Sequence, residues 1–245
     1  MNTDYFLFGL EFEFYLKDEN DKTHFINELN KKLNVKLLDL TSTYYAENPE
    51  EWILSIEKTM PILGNKNGYE LTSPILYFDE LKHTINIVLE ILQEYCFTNE
   101  SCGFHFHISA ESEDLVEPDI IKFLLLLNEN KVFDNYRIRN EFVLNIMDVL
   151  KSTNLDIFKK FYKCLGKYYN VYFVDLDQNH IEIRILGDEN YEYNENILDF
   201  IYSVSKYFYF SMTEDENEKY VILLEEFKKE NSANQTILYK DDLEM

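Results

Sequence analysis

Alternating apolar and polar residues mark several short segments of the chain and predict β-strands. In residues 103–109, two phenylalanines and an isoleucine would share one face of a strand, and His105 and His107 would share the other. Comparable patterns predict strands at residues 5–16, 52–56, 69–72, 170–176 and 180–186. The apolar face of each strand suits a core, so a face that carries two imidazoles must be either wet or part of a site.

Apolar residues at helical spacing predict helices that would cover the apolar face of the sheet. The predicted helices are residues 23–33, 79–92 with Asp79 as the cap, 118–129 with Pro118 in the first turn, 140–151, 155–167, 194–212 and about 216–230. The sequence thus predicts an α+β fold, in which a mainly antiparallel sheet has one polar face and helices pack on the other. Residues 1–212 are predicted to form a single catalytic domain, followed by an acidic, helical segment over residues 213–245.

Four of the predicted strands carry ionisable residues opposite an apolar face. These residues are Glu11, Glu13, Glu70, His105, His107, Glu182 and Arg184. For any one strand, the solvent-exposed face of an ordinary antiparallel sheet explains such a pattern. Glu11, Glu13 and Glu70 together, however, would repel one another and hold protons unless a cation lay among them. The strands therefore predict a cation site on the polar face of the sheet.

Composition disfavours several classes of function. The 245 residues include 46 acidic and 23 basic ones, and the resulting net charge of -23 repels nucleic-acid backbones. The longest strongly apolar run, residues 123–127, is too short to cross a membrane, and the first residues lack the pattern of a signal peptide. The three cysteines contain no Cys-x-x-Cys, which argues against a disulfide scaffold or a zinc knuckle. These features predict a cytoplasmic protein.

Arginine is rare in this chain. Only Arg137, Arg139 and Arg184 are arginine among the 23 basic residues. The planar guanidinium group binds phosphate or carboxylate through two hydrogen bonds, which lysine does not match. Chance or structural ion pairs could also account for three arginines. Arg184 is the strongest functional candidate because it shares a strand face with Glu182.

Four motifs in sequence resemble the amidoligase family, a branch of the carboxylate–amine ligases. The motifs are Glu-x-Glu at 11–13, ELTSPIL at 70–76, CGFHFHIS at 102–109 and IEIRILG at 181–187, and the resemblance covers roughly residues 5–190. It implies the fold of the glutamine synthetase catalytic domain. It also implies an ATP-dependent ligase that forms an amide bond through an acyl phosphate, with small-molecule or peptide carboxylates and amines as substrates.

The resemblance implies two sites for Mg²⁺ or Mn²⁺. Glu13 and Glu70 would hold one ion. Glu11, His105 and Glu182 would hold the second ion, nearer the ATP phosphates.

The remaining matched residues would act on the nucleotide and the substrates. His107 would contact phosphate oxygens of ATP, and Arg184 would stabilise the transferred phosphoryl group. Glu57 stands where the family has an aspartate on the substrate side. The segment NYRIRN, which contains Arg137 and Arg139, falls where the family has an arginine-bearing segment.

Three other functions stay open at this point. A guanidino-type phosphotransferase on a similar fold would stop after moving the phosphoryl group. A metal-dependent hydrolase is also compatible with His-x-His beside acidic residues. A non-catalytic module that binds metal or nucleotide would keep the site without turnover. The sequence does not predict the identities of the acid and the amine, the oligomeric state or the role of the acidic C-terminal segment.

Overall fold

A computed structural model describes residues 3–41, 50–112, 115–133, 144–175, 179–187 and 189–241. The strands are β1 (Phe6–Leu16), β2 (Leu38–Asp39), β3 (Ile53–Ile56), β4 (Gly68–Thr72), β5 (Leu76–Tyr77), β6 (Cys96–Phe97), β7 (Gly103–Ala110), β8 (Val171–Asp175) and β9 (His180–Gly187). The α-helices are α1 (Lys22–Leu33), α2 (Phe78–Tyr95), α3 (Ile120–Glu129), α4 (Ile146–Ser152), α5 (Leu155–Phe161), α6 (Ile197–Ser211) and α7 (Asn217–Asp241).

The strands form one sheet in the order β2-β3-β4-β1-β7-β9-β8. The two short strands β5 and β6 pair with opposite ends of β1. β2 and β3 run parallel, and the other described strand pairs are antiparallel. The expectation of a mixed fold with a largely antiparallel sheet is therefore confirmed. The eleven-residue β1 lies in the middle of the sheet and contacts the strands on both sides.

Alternation along β1 places the core on one side of the sheet. Its aromatic and leucine positions at even residue numbers from 6 to 14 are at most 1% exposed. Helices pack against this face: the ring centroids of Phe8 and Phe78 of α2 lie 6.0 Å apart, and those of Phe106 and Phe200 of α6 lie 5.8 Å apart. Each phenylalanine buried in this way contributes roughly 1.5–3 kcal/mol. The odd-numbered positions of β1, which include Glu11, belong to the opposite face.

Two helices begin at other residues than the sequence predicts. At α2 the cap is Tyr77, whose backbone N–H donates to Glu80 Oε2 at 2.7 Å, so Asp79 lies inside the first turn. At α3 the cap is Asp119, whose carboxylate accepts the N–H of Lys122, so Pro118 precedes the helix. In α2 a carboxylate of the first turn accepts the N–H of the cap residue, and in α3 the carboxylate of the cap residue accepts an N–H of the first turn. Each contact satisfies a donor at the start of the helix.

The later helices also differ in extent from their predictions. α5 ends at Phe161 and a short 3-10 turn follows over Tyr162–Cys164, so the predicted helix of residues 155–167 is wrong in its second half. α6 begins at residue 197 rather than 194. α7 is longer than predicted and reaches Asp241. The first part of the predicted helix at 140–151 lies outside the described residues. Among the residues described, no helix has the length and apolar character that crossing a membrane requires.

β9 contains a bulge that the alternating pattern does not reveal. Phe104 and Phe106 of β7 pair with Leu186 and Ile183 of β9, so β9 has one extra residue in this interval. Bulges bend the strand and change the direction of a side chain, and they are frequent next to functional sites. Arg184 lies in this interval, and its backbone N–H donates to the carbonyl of Asn170 rather than to β7.

Candidate functional site

Strand register brings the predicted site residues together on the polar face. Glu11 of β1 lies opposite His105 of β7, and Glu13 lies opposite Glu70 of β4. One pair further along β7, His107 lies opposite Glu182 of β9. Opposite residues of an antiparallel pair have their side chains about 4.5–5.5 Å apart, so residues far apart in sequence become neighbours here.

The first cluster consists of Glu11, His107 and Glu182, each of which offers a ligand atom within 4.8 Å of the others. His107 Nε2 lies 3.0 Å from Glu11 Oε1. His105 joins the same carboxylates through Nδ1, which lies 3.3 Å from Glu11 Oε2 and 3.8 Å from Glu182 Oε1. Two imidazoles and two carboxylates thus face one point between β1, β7 and β9.

In the first cluster, neighbouring groups favour the ionised form of Glu11 and the protonated form of His107. Burial by itself would raise the pKa of Glu11, but hydrogen bonds to His105 and His107 hold that pKa well below its usual value. Burial would likewise lower the pKa of His107, but the hydrogen bond and the charge of Glu11 outweigh it and raise the pKa. Glu11 is therefore a persistent anion, and it attracts a positive group beside it.

The second cluster consists of three carboxylates, those of Glu13, Glu57 and Glu70, again with ligand atoms within 4.8 Å. Glu13 Oε2 accepts the backbone N–H of Gly103 at 2.6 Å. Glu57 Oε1 accepts the N–H of Thr59 at 2.7 Å and its hydroxyl at 2.6 Å. These bonds fix the orientation of two carboxylates of the cluster.

In the second cluster, burial favours the protonated, uncharged form of Glu13 and Glu70. Burial raises the pKa of Glu13. Burial, followed by the charges of Glu11, Glu57 and Glu13, raises the pKa of Glu70 to about 8. In the absence of another positive group, the carboxyl of Glu70 keeps a proton near neutral pH.

The donor atoms of both clusters fit Mg²⁺ or Mn²⁺. Three carboxylates provide the oxygen ligands that hard divalent cations prefer, and carboxylates with imidazoles suit Mn²⁺ as well. The raised pKa of Glu70 also indicates a fit, because a cation would take the place of the proton that the carboxyl otherwise keeps.

Arg184 contacts the first cluster through Glu182. Its Nη1 donates to Glu182 Oε1. Its Nε is buried and has no hydrogen-bond partner among the described residues. An unpaired buried donor costs about 1–3 kcal/mol.

A cavity of about 560 Å³ lies over both clusters. Its lining consists of Glu11, Glu13, Glu57, Thr59, Pro61, Glu70, Glu100, Ser101, His105, Lys167, Tyr168, Glu182 and Arg184. This volume is in the range of small-molecule sites. Thr59, Pro61, Glu100, Ser101, Lys167 and Tyr168 are absent from the sequence prediction, because they lie between the strands, where no periodic pattern marks them.

The predicted site residues have different placements in the structure. Seven lie together at the clusters: Glu11, Glu13, Glu70, His105, His107, Glu182 and Arg184. Glu57, predicted on the substrate side, lies with Glu13 and Glu70. Arg137 and Arg139 lie outside the described residues. The roles assigned to all these residues stay predictions.

Comparison with known families gives one match. The model of a family described as "Putative amidoligase enzyme" matches residues 6–134, more than half of the 245 residues. The matched range includes β1, β4 and β7, and it ends before β9 with Glu182 and Arg184. No curated protein matches the chain.

Proposed function

The chain belongs to the amidoligase family, and from that premise we propose that it is an ATP-dependent ligase that joins a carboxylate to an amine. The observation that carries the proposal is the arrangement of Arg184 and two clusters of cation-binding side chains around one cavity. The largely antiparallel sheet with its polar face is compatible with the glutamine synthetase-like fold that the resemblance implies.

The proposed reaction has two steps. A carboxylate oxygen of the acid attacks the γ-phosphorus of ATP, and ADP leaves. The amine nitrogen then attacks the acyl carbon of the acyl phosphate, inorganic phosphate leaves, and the nitrogen loses a proton. The first step is needed because a free carboxylate has no adequate leaving group. Positioning of the reactants and stabilisation of charge on the phosphoryl oxygens account for most of the catalysis in such transfers.

Glu13, Glu57 and Glu70 would hold one divalent cation. Glu11 and Glu182 would hold the other with His105, as the resemblance implies. The geometry adds His107, whose Nε2 lies 3.0 Å from Glu11 Oε1 and which clusters with both carboxylates. Mg²⁺ or Mn²⁺ bound there would offset the phosphate charge and allow a protein of net charge -23 to bind ATP.

Arg184 would act on the transferred group. Nη1 is held by Glu182, and since Arg184 lines the cavity, the same guanidinium group would donate to a phosphoryl oxygen there. The resemblance gives His107 a contact with the phosphates instead, and its ring would make that contact only as an alternative to binding the cation, because both ring nitrogens already face Glu11 and His180. Charge-assisted bonds of this kind contribute most where charge shifts during the transfer.

Release of ADP and phosphate with pools of carboxylic acids and amines tests the proposal. Each pool is supplied alone and together, with Mg²⁺ or with excess chelator. We expect release of both products only when acid, amine and Mg²⁺ are present. Glu13→Gln should abolish the release, and Glu129→Gln, on the exposed end of α3, should not.

The other outcomes identify the competing functions. ADP release without phosphate release would indicate a phosphotransferase. Cleavage of a substrate without ATP would indicate a hydrolase. ATP and Mg²⁺ binding with no turnover across the pools would favour a non-catalytic module.

A further inference from the structure

His180 lies beside the first cluster but outside the set of site residues predicted from the sequence. It is the first residue of β9, opposite Ser109 of β7, and its Nε2 lies 3.0 Å from Nδ1 of His107. The two ring centroids are 5.2 Å apart. Since Glu182 follows two residues later, His180 and Glu182 occupy the same face of the strand.

The contacts of His107 engage both ring nitrogens. Nε2 faces Glu11 Oε1 at 3.0 Å, and Nδ1 faces His180 Nε2 at 3.0 Å. Rotation of the ring by 180° would place carbons where the nitrogens lie and would lose both bonds. The side chain of His107 is 24% exposed, so packing alone leaves part of the ring unconstrained.

We propose that His180 is a positioning residue that accepts a hydrogen bond from Nδ1–H of His107 and thereby directs Nε2 at Glu11 and Glu182. The inference rests on the proposed function, in which Nε2 faces a cation. A nitrogen that binds a cation must present a lone pair, so the ring proton of His107 resides on Nδ1 and needs an acceptor. His180 Nε2 supplies that acceptor when the proton of His180 is on its own Nδ1.

The competing explanation is that His180 only supports the β8–β9 turn. Asn179, just before His180, has contacts of its own: its backbone is left-handed (φ 48°), and its Nδ2 donates to the carbonyl of Ala110 at 3.3 Å. A purely structural role predicts that variants of His180 change stability without changing the affinity for cations.

Binding of Mn²⁺ alone, followed by electron paramagnetic resonance, separates the two explanations. His180→Phe keeps a ring but removes the acceptor, and we expect it to weaken Mn²⁺ binding about 10–100-fold. His180→Gln offers an amide oxygen in place of Nε2 and should bind Mn²⁺ within a few-fold of the wild type. His83→Phe, on the exposed side of α2, is the matched control and should bind as the wild type does.

The proton position on His107 gives a second readout that does not depend on activity. In Mg²⁺-loaded wild type and in His180→Gln, nitrogen-15 shifts should place the ring proton of His107 on Nδ1. Should His180→Phe fail to fold, an Nε2–H tautomer in either of the other two proteins would still overturn the inference.

Three results would overturn the inference. These are equal Mn²⁺ affinity of His180→Phe and wild type, equal losses in the Phe and Gln variants, and an Nε2–H tautomer of His107 in the Mg²⁺-loaded wild type. In each case the proposed function survives as long as the wild type binds Mn²⁺. A wild type that binds no Mn²⁺ overturns both proposals.

Discussion

Glu70 is the residue at which burial and like charge act together most strongly in this site. Its carboxyl group lies with those of Glu13 and Glu57, and its pKa of about 8 means that it keeps a proton at neutral pH. Glu11, on the neighbouring strand, has the opposite character because two imidazoles stabilise its charge. The polar face therefore holds a protonated and an ionised carboxyl side by side, and a cation would change this arrangement first at Glu70.

The stability of the cation-free protein should decrease as the pH rises toward 8. The folded state raises the pKa of Glu70 from 4.5 to about 8, so between these values it binds a proton that the unfolded chain releases. The stabilisation is complete below pH 4.5 and is lost as the pH rises through about 8, with a limit of about 1.4 kcal/mol per pH unit. In chelator, the melting temperature of the wild type should fall between pH 5 and 8 relative to that of Glu70→Gln.

Two controls accompany this measurement. Glu129→Gln, on the exposed end of α3, should follow the wild type over the whole pH range. At pH 8, saturating Mg²⁺ should give the wild type a higher melting temperature than Glu70→Gln, because the cation replaces the proton on Glu70. Parallel curves for wild type and Glu70→Gln in chelator would contradict the raised pKa.

Replacement of Arg184 by lysine should reduce turnover rather than nucleotide affinity. Lysine keeps the charge but loses the planar fork of the guanidinium group, which binds Glu182 through Nη1 and would bind a phosphoryl oxygen in the cavity. Loss of one such donor typically costs about 10²–10³ in rate. The measurement is ADP release at saturating ATP with the acid and amine that the pool screen identifies. Unchanged Mn²⁺ affinity shows that the site is intact, and turnover near that of the wild type would exclude Arg184 from the transfer.

At the scale of elements, the strands of the site follow from the sequence more completely than its loops. The period of two in β1, β7 and β9 assigns Glu11, His105 and Glu182 to one face, and the apolar residues opposite them are buried. No such period exists in the connecting segments, so Lys167 and Tyr168 reach the cavity through contacts that only the folded chain reveals. The bulge in β9 was unpredictable for the same reason, since it depends on pairing with β7.

Helix ends show a second limit of sequence patterns. Apolar spacing predicts that α2 and α3 exist, but the residue at which each begins depends on the capping contact, which Glu80 makes in α2 and Asp119 makes in α3. Lys122 illustrates a third limit: it is only 2% exposed, although lysine normally indicates a surface position. Its Nζ donates to the carbonyl of Thr213 at 2.9 Å and to Asn217 Oδ1 at 2.6 Å, so it joins α3 to the end of α6 and the start of α7.

Replacement of Lys122 by methionine should therefore loosen α7 in particular. Methionine retains most of the buried stem but leaves two acceptors without their donor, at a cost of about 1–3 kcal/mol. Hydrogen exchange should increase first in residues 217–231, before the strands are affected. The matched control is Lys228→Met on the exposed side of α7, where an ion pair with Glu225 is worth little. Uniform loss of protection across the sheet would contradict this role.

At the scale of the whole molecule, the net charge of -23 opposes folding through repulsion among like charges. Simple salts screen this repulsion without regard to position. Divalent cations bound at the two clusters would reduce this repulsion specifically at the clustered carboxylates. Specific binding and general screening therefore predict different responses to Mg²⁺ and to potassium chloride.

Mg²⁺ should raise the melting temperature more than potassium chloride of the same ionic strength. Binding to the native state alone contributes about 2.7 kcal/mol when the free cation is at a hundred times its Kd. The measurement is thermal unfolding at constant ionic strength as Mg²⁺ replaces potassium. In Glu13→Gln, the difference between the melting temperatures in Mg²⁺ and in potassium chloride should be smaller than in the wild type. Equal effects of the salts on the wild type would mean that the clusters do not bind Mg²⁺.

The two clusters share one strand, and this has a consequence for how such a protein can diversify. Glu11 belongs to one cluster and Glu13 to the other, and two residues of an extended chain span about 6.8 Å. The distance between their backbone positions is thus a property of the polypeptide, independent of the length or composition of any loop. The loops that complete the cavity can accordingly be exchanged to admit other small-molecule substrates while the two clusters keep their spacing, so transplanting them is the direct route to a new specificity on this sheet.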